Sequence, residues 1–98
     1  MHYLAFRRSV LPRDQWTVTL AEHLTWMKDQ HQQGKILLSG PTPDRSTGIY
    51  LIRAGSLDEA KQIAAGDPYT VAGHTSFEIL EWDVHQVFGF GNFDAPTH

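Results

Sequence analysis

Cysteine is absent from the 98-residue sequence, which excludes a disulfide framework, a thiolate nucleophile and any Cys-ligated zinc site. The fold therefore has to stand on packing alone. No apolar run approaches the roughly 18 residues that a spanning helix needs, and the charged, apolar and small-residue regions of a secretion signal are missing. The expected setting is the cytoplasm, with no membrane partner. Positive charge is also scarce, since eight Lys and Arg stand against eleven Asp and Glu for a formal net charge of -3. Binding through counterion release needs a basic footprint, so nucleic acid is not an expected partner.

What is present is the composition of a folded globule: 41% hydrophobic, 19% charged and 11% aromatic residues. Chains of this size bury about two thirds of their unfolded surface, enough for one core and one domain. His2 to Arg7 is a short aromatic and aliphatic run that reads as a strand ending at Arg7-Arg8. From Pro12 to Gln33 the residues Trp16, Leu20, Leu24 and Met27 recur at helical spacing, with Gly34 as the stop. The start of this helix is open, because Pro12 suits a first turn while Thr19-Leu20-Ala21-Glu22 spells a capping box.

Residues 35–39 and 48–53 are β-type runs joined by a segment rich in turn formers, a hairpin. Ser56-Leu57-Asp58-Glu59 is a second capping box, followed by Ala60, Ile63 and Ala64 on one face and closed by Gly66 and Pro68. Alternation from Thr75 to Asp83 marks the last strand. The order βαββαβ predicts an α+β, ferredoxin-like fold, an antiparallel sheet with two helices on one face. Residues 36–38 and 49–52 are apolar at successive positions, so both sheet faces want burial and helices cover only one. A homodimer through the second face is expected. Residues 84–98, with Phe88, Phe90 and Phe93 among glycines, form an aromatic extension expected to pack on the 1–83 domain or on the partner.

Two residues stand out chemically. Helical spacing puts His23 beside the apolar stripe, where it is either a structural histidine bonded to a carbonyl or a general acid or base in a cleft. Asp67 follows a helix C-terminus, where the macrodipole does not favour it. It is either part of an Asp-Pro turn or a carboxylate aimed at His23. Tyr69 beside it either packs or lines a pocket with its hydroxyl. The other histidines lack the paired spacing of a metal motif, although neighbouring first and last strands would let His2 and His74 approach. Trp16, Trp26 and Trp82 read as core or dimer contacts.

Residues 23–27 (HLTWM), 34–41 (GKILLSGP) and 66–73 (GDPYTVAG), with the Ser56 to Ala60 helix start ahead of the last block, resemble the signature blocks of the YCII (YciI-like) family. The resemblance spans about residues 1–83. It implies a dimeric α+β barrel built on the ferredoxin-like core, and a His-Asp site carried onto His23 and Asp67 with Gly40 and Pro41 at the pocket margin. It also implies a small-molecule ligand and, from one relative, elimination of chloride from a chlorinated hydroxyquinol. Neither a metal nor an organic cofactor is expected for elimination or isomerisation of a small cyclic compound by such a pair. The alternative is a module that binds a metabolite without turning it over.

Overall fold

The computed structural model describes residues 1–10 and 19–86. Pro12 and Trp16 of the expected first helix, and Phe88, Phe90, Phe93 and His98 of the aromatic extension, lie outside the described residues. In chain order the elements are β1 (His2–Ser9), α1 (Leu20–Gln32), β2 (Ile36–Pro41), β3 (Thr47–Arg53), α2 (Leu57–Ala65), α3 (Pro68–Val71) and β4 (Thr75–Trp82). The strands form one sheet in the order β2-β3-β1-β4, every neighbouring pair antiparallel. This is the ferredoxin-like α+β arrangement, with one short helix added.

Local sequence explains most of the ends. Ser56 caps α2 by accepting the Glu59 amide, and the Glu59 carboxylate accepts the Gly55 amide in return. The first capping box differs, because Thr19 precedes α1 without a side-chain cap hydrogen bond. Gly34 ends the α1 segment at a φ of 71°, a left-handed conformation that suits a residue without Cβ. Where a simple Asp-Pro turn was the plainer sequence reading, Asp67 instead caps α3, its side chain accepting the Tyr69 amide, with Pro68 in the first helical turn. The macrodipole of α2 disfavours an acid just past its C-terminus. Asp67 is also the N-cap of the next helix.

Period-two alternation sorts the strand residues by face, except that a register shift between Ile36 and Leu38 turns Leu38 to the side opposite Ile36. Tyr3, Ala5, Ile36, Tyr50 and Ile52 face the helices and are buried against Ala60 and Ala64 of α2, with Trp26, Met27, Ile63, Phe77 and Ile79 packed around them. Two alanines four apart let α2 lie close to the sheet. The other face carries Leu38, Leu51, Leu4 and Leu80, which are cross-strand partners in one row spanning all four strands. Nothing in the chain's described residues covers the ends of that row, where Leu38 is 67% and Leu80 59% exposed.

Three expectations need correction. β1 does not stop at Arg7-Arg8 but continues to Ser9 through both arginines. The α1 stripe is not buried as a whole: Met27 packs against the core, but Leu20 is 41% and Leu24 57% exposed, and the buried residue of α1 is His23. Finally, the register places His2 opposite Trp82 and Ser9 opposite Thr75, so His2 and His74 sit at opposite ends of β1 and β4.

Candidate active site

Asp67 is fully buried, and its carboxylate is filled by donors from four parts of the chain. Oδ1 accepts from His23 Nδ1 at 2.8 Å and from the Tyr69 amide at 3.0 Å. Oδ2 accepts from the Tyr50 hydroxyl and from Arg7 Nη1, the latter at 3.2 Å. Burial by itself pushes this carboxyl's pKa up. The hydrogen bonds from His23 and Tyr50, the charge of His23 and the Tyr69 amide outweigh burial and hold it below the ordinary carboxylate value. Tyr50 moves the other way, its pKa raised by burial and then by the Asp67 charge. It stays a donor across the physiological range.

These partners settle the tautomer of His23. An ionised carboxylate only accepts, so Nδ1 carries a proton, and whenever the ring is neutral the lone pair is on Nε2. Arg7 Nη1 stands 3.2 Å from Nε2 and 3.4 Å from Nδ1. A donor on the Nε2 lone-pair axis would lie much farther from Nδ1 than from Nε2, so the guanidinium rests against a face of the ring. The Nε2 lone pair has no in-plane partner among the described residues. Tyr69 stacks on the imidazole with centroids 4.3 Å apart and planes 13° from parallel, and Trp26 approaches at 6.3 Å. The ring is thus held by its neighbours as well as by its hydrogen bond.

Arg7 reaches the site because β1 alternates, with Tyr3, Ala5 and Arg7 all on the helix face. Its cross-strand partner is Gly48. A Cβ on Gly48 would stand 2.5 Å from Arg7 Nη2 and 2.8 Å from Cζ, so a side chain there would displace the guanidinium from this position. Arg7 also lies over the rings of Tyr69 and Tyr50, at 4.9 and 5.6 Å from their centroids.

Beside the pair opens a cavity of about 330 Å³, within the range of small-molecule sites. Leu20, Leu24 and Met27 of α1 form an apolar wall, His23, Tyr50 and Tyr69 the floor, and Ser39, Gly40, Pro41 and Arg45 the side contributed by β2 and the following hairpin. All five sequence-selected residues, His23, Asp67, Gly40, Pro41 and Tyr69, therefore converge here, Asp67 beneath the floor. Among the described residues no three His, Cys, Asp or Glu side chains group as metal ligands.

The sequence profile of the YCII-related domain matches residues 1–83. The chain belongs to the YCII family. Uncharacterized protein YjpA of Bacillus subtilis (strain 168) is 32% identical over 63 residues, covering 64% of this chain and 74% of that protein. Among solved structures, a chain described as 5-chloro-2-hydroxyhydroquinone dehydrochlorinase (TftG) from Burkholderia phenoliruptrix AC1100, in complex with 2,5-dihydroxybenzoquinone, superposes with a TM-score of 0.70. It is 24% identical, and the match covers 84% of this chain and 93% of that one. At that identity the likeness is one of fold.

For this YCII protein, reading residues along the chain missed Arg7, Tyr50 and Arg45. Arg7 looked like the polar end of a strand, yet counting by twos from Tyr3 puts it on the inner face. Tyr50 was absorbed into an apolar run, and a lone hydroxyl in such a run is the signal that a polar partner waits inside. Nothing local marks Gly48 as the gap for Arg7, because only the strand register brings the two together.

Proposed function

We propose that this YCII protein catalyses proton transfer on a small cyclic or aromatic compound, in an elimination such as dehydrochlorination or in an isomerisation. The observation that carries this reading is the His23 imidazole on the floor of a ligand-sized cavity, its Nδ1 proton committed to a fully hydrogen-bonded, buried carboxylate. Nε2 is then the base. For elimination it takes a proton from the keto tautomer, in which the chlorine sits on a saturated carbon, and the electron pair left behind forms the new double bond as chloride leaves; for isomerisation the pair shifts along the ring and Nε2 returns the proton at another position. Asp67 orients the ring and stabilises the imidazolium, while Tyr50 and Arg7 keep Asp67 itself from taking the proton. The fold likeness to a dehydrochlorinase supports small-molecule chemistry in this scaffold.

The test is chloride release from 5-chloro-2-hydroxyhydroquinone under argon, followed with a chloride electrode. Positioned proton transfer contributes about 10²- to 10⁴-fold over buffer, and a rise of that size is expected. If 2,5-dihydroxybenzoquinone binds but chloride is released no faster than in buffer, the pocket only holds its ligand for this chemistry, and the elimination reading is withdrawn.

The functional unit we propose is a homodimer closed through the leucine row. A second copy is the natural occupant, because Leu38, Leu51, Leu4 and Leu80 form a self-complementary apolar band and a two-fold pair buries both copies of it. Light scattering should give about twice the 11.1 kDa chain mass. Leu38→Lys with Leu80→Lys should give the monomer mass, and a wild-type chain that runs as a monomer at micromolar concentration rejects the shared face.

A further inference from the structure

We infer that Arg45 is the specificity residue of this pocket, selecting a ring that carries an oxyanion on the side away from His23; this rests on the proton-transfer reading above. Arg45 lies between β2 and β3 with a φ of 64°, a left-handed conformation unusual for a residue other than glycine, asparagine or aspartate. Its neighbours hold it there. Asp44 Oδ1 accepts from the Thr42 hydroxyl at 2.7 Å, the Ser46 hydroxyl at 2.8 Å and the Ser46 amide at 3.0 Å, and the Arg45 amide donates to the Thr42 carbonyl at 2.9 Å. With its neighbouring carboxylate occupied in this way, the Arg45 guanidinium has no hydrogen bond or ion pair among the described residues, and it lines the cavity mouth.

The charge balance of the pocket gives this arginine its meaning. Arg7 is matched by Asp67. Among the described residues no Asp or Glu lines the cavity, so among them Arg45 is the positive charge left without a counterion there. A hairpin that holds a non-glycine residue in a costly backbone conformation, and thereby presents a cation over an apolar cavity, suits a ligand whose own negative charge completes the pair. The ring hydroxyl of a vinylogous acid or a ring carboxylate has that chemistry. Leu20, Leu24 and Met27 would contact the ring itself.

The experiment compares benzoate with its neutral isostere benzamide, and adds 2,5-dihydroxybenzoquinone, binding being read by NMR from the His23 imidazole resonances of the full chain. The variants are Arg45→Lys, which keeps the charge, and Arg45→Asn, which removes it while favouring the left-handed backbone. Losing one charge-assisted contact at a partly exposed site weakens binding about tenfold. Benzoate and dihydroxybenzoquinone should weaken by that factor in Arg45→Asn and by much less in Arg45→Lys, while benzamide should bind weakly and equally to all three proteins. The unfolding temperature of Arg45→Asn should not fall, as it would if Arg45 served the hairpin instead. Equal binding of the anions to wild type and Arg45→Asn, or benzamide matching benzoate, overturns the inference and leaves the proton-transfer reading standing. If none of the three probes perturbs His23, the pocket reading itself fails and takes this inference with it.

Discussion

Replacing His23 with Gln is expected to remove catalysed chloride release, a fall of about 10²- to 10⁴-fold, with little loss of stability. The glutamine amide nitrogen is one bond farther from Cβ than His23 Nδ1, but rotation about the flexible side chain turns an N–H toward Asp67 Oδ1, so the buried carboxylate keeps a donor. What is lost is the Nε2 lone pair, since an amide nitrogen is not a base. A structural histidine would behave in the opposite way, with the substitution lowering the unfolding midpoint and leaving any bound ligand or turnover without a selective effect. Measuring chloride release and urea unfolding on one preparation separates these outcomes.

The largest stability effect is expected at Asp67. Asp67→Ala strips the common acceptor from His23, Tyr50, Arg7 and the Tyr69 amide at once. Breaking a buried charge pair from one side costs about 3–5 kcal/mol, against about 5–15 kcal/mol for the whole stability of a typical domain. The effect depends on pH with a definite sign. The folded pKa of Asp67 lies below that of the unfolded chain, so its contribution is fully present above about pH 3.9, the ordinary Asp value. It is lost as pH falls through the lower folded value. Urea unfolding should therefore show a wide gap between wild type and Asp67→Ala near neutrality that narrows below about pH 3.9. Asp44 is also depressed, to about 2, chiefly by the Ser46 amide with the Thr42 and Ser46 hydroxyls. It is present in both proteins and drops out of the comparison. A gap that does not change between neutral and acid pH would remove Asp67 as an ionised hub.

The parts of the molecule legible along the chain are those decided within a few residues. The Ser56 and Glu59 exchange at the start of α2 is a four-residue motif, and the alternation of the strands and the two-faced apolar runs are properties of neighbours. The apolar residues of α1 were recognised as a stripe, but not which of them meet the core and which the cavity. Periodicity reports that Leu20, Leu24 and Met27 share a face, but a pocket wall and a core share the same pattern. Pro68 was read as a stop, which it is for α2, while the same residue opens α3.

By itself, the sequence determined the order of elements, the ferredoxin-like class and, through its signature blocks, the family and the candidates His23 and Asp67. It did so because caps, turns and side-chain alternation are local free energies, and because the motif carries both residues. Only the tertiary structure decided that Arg7, Tyr50 and the Tyr69 amide converge on Asp67, that Gly48 leaves room for the guanidinium, and which nitrogen of His23 faces the carboxylate. Those facts depend on antiparallel register and on hydrogen bonds between residues up to 60 positions apart. In a buried site such distant contacts set protonation and tautomer, and no property of neighbouring residues encodes them.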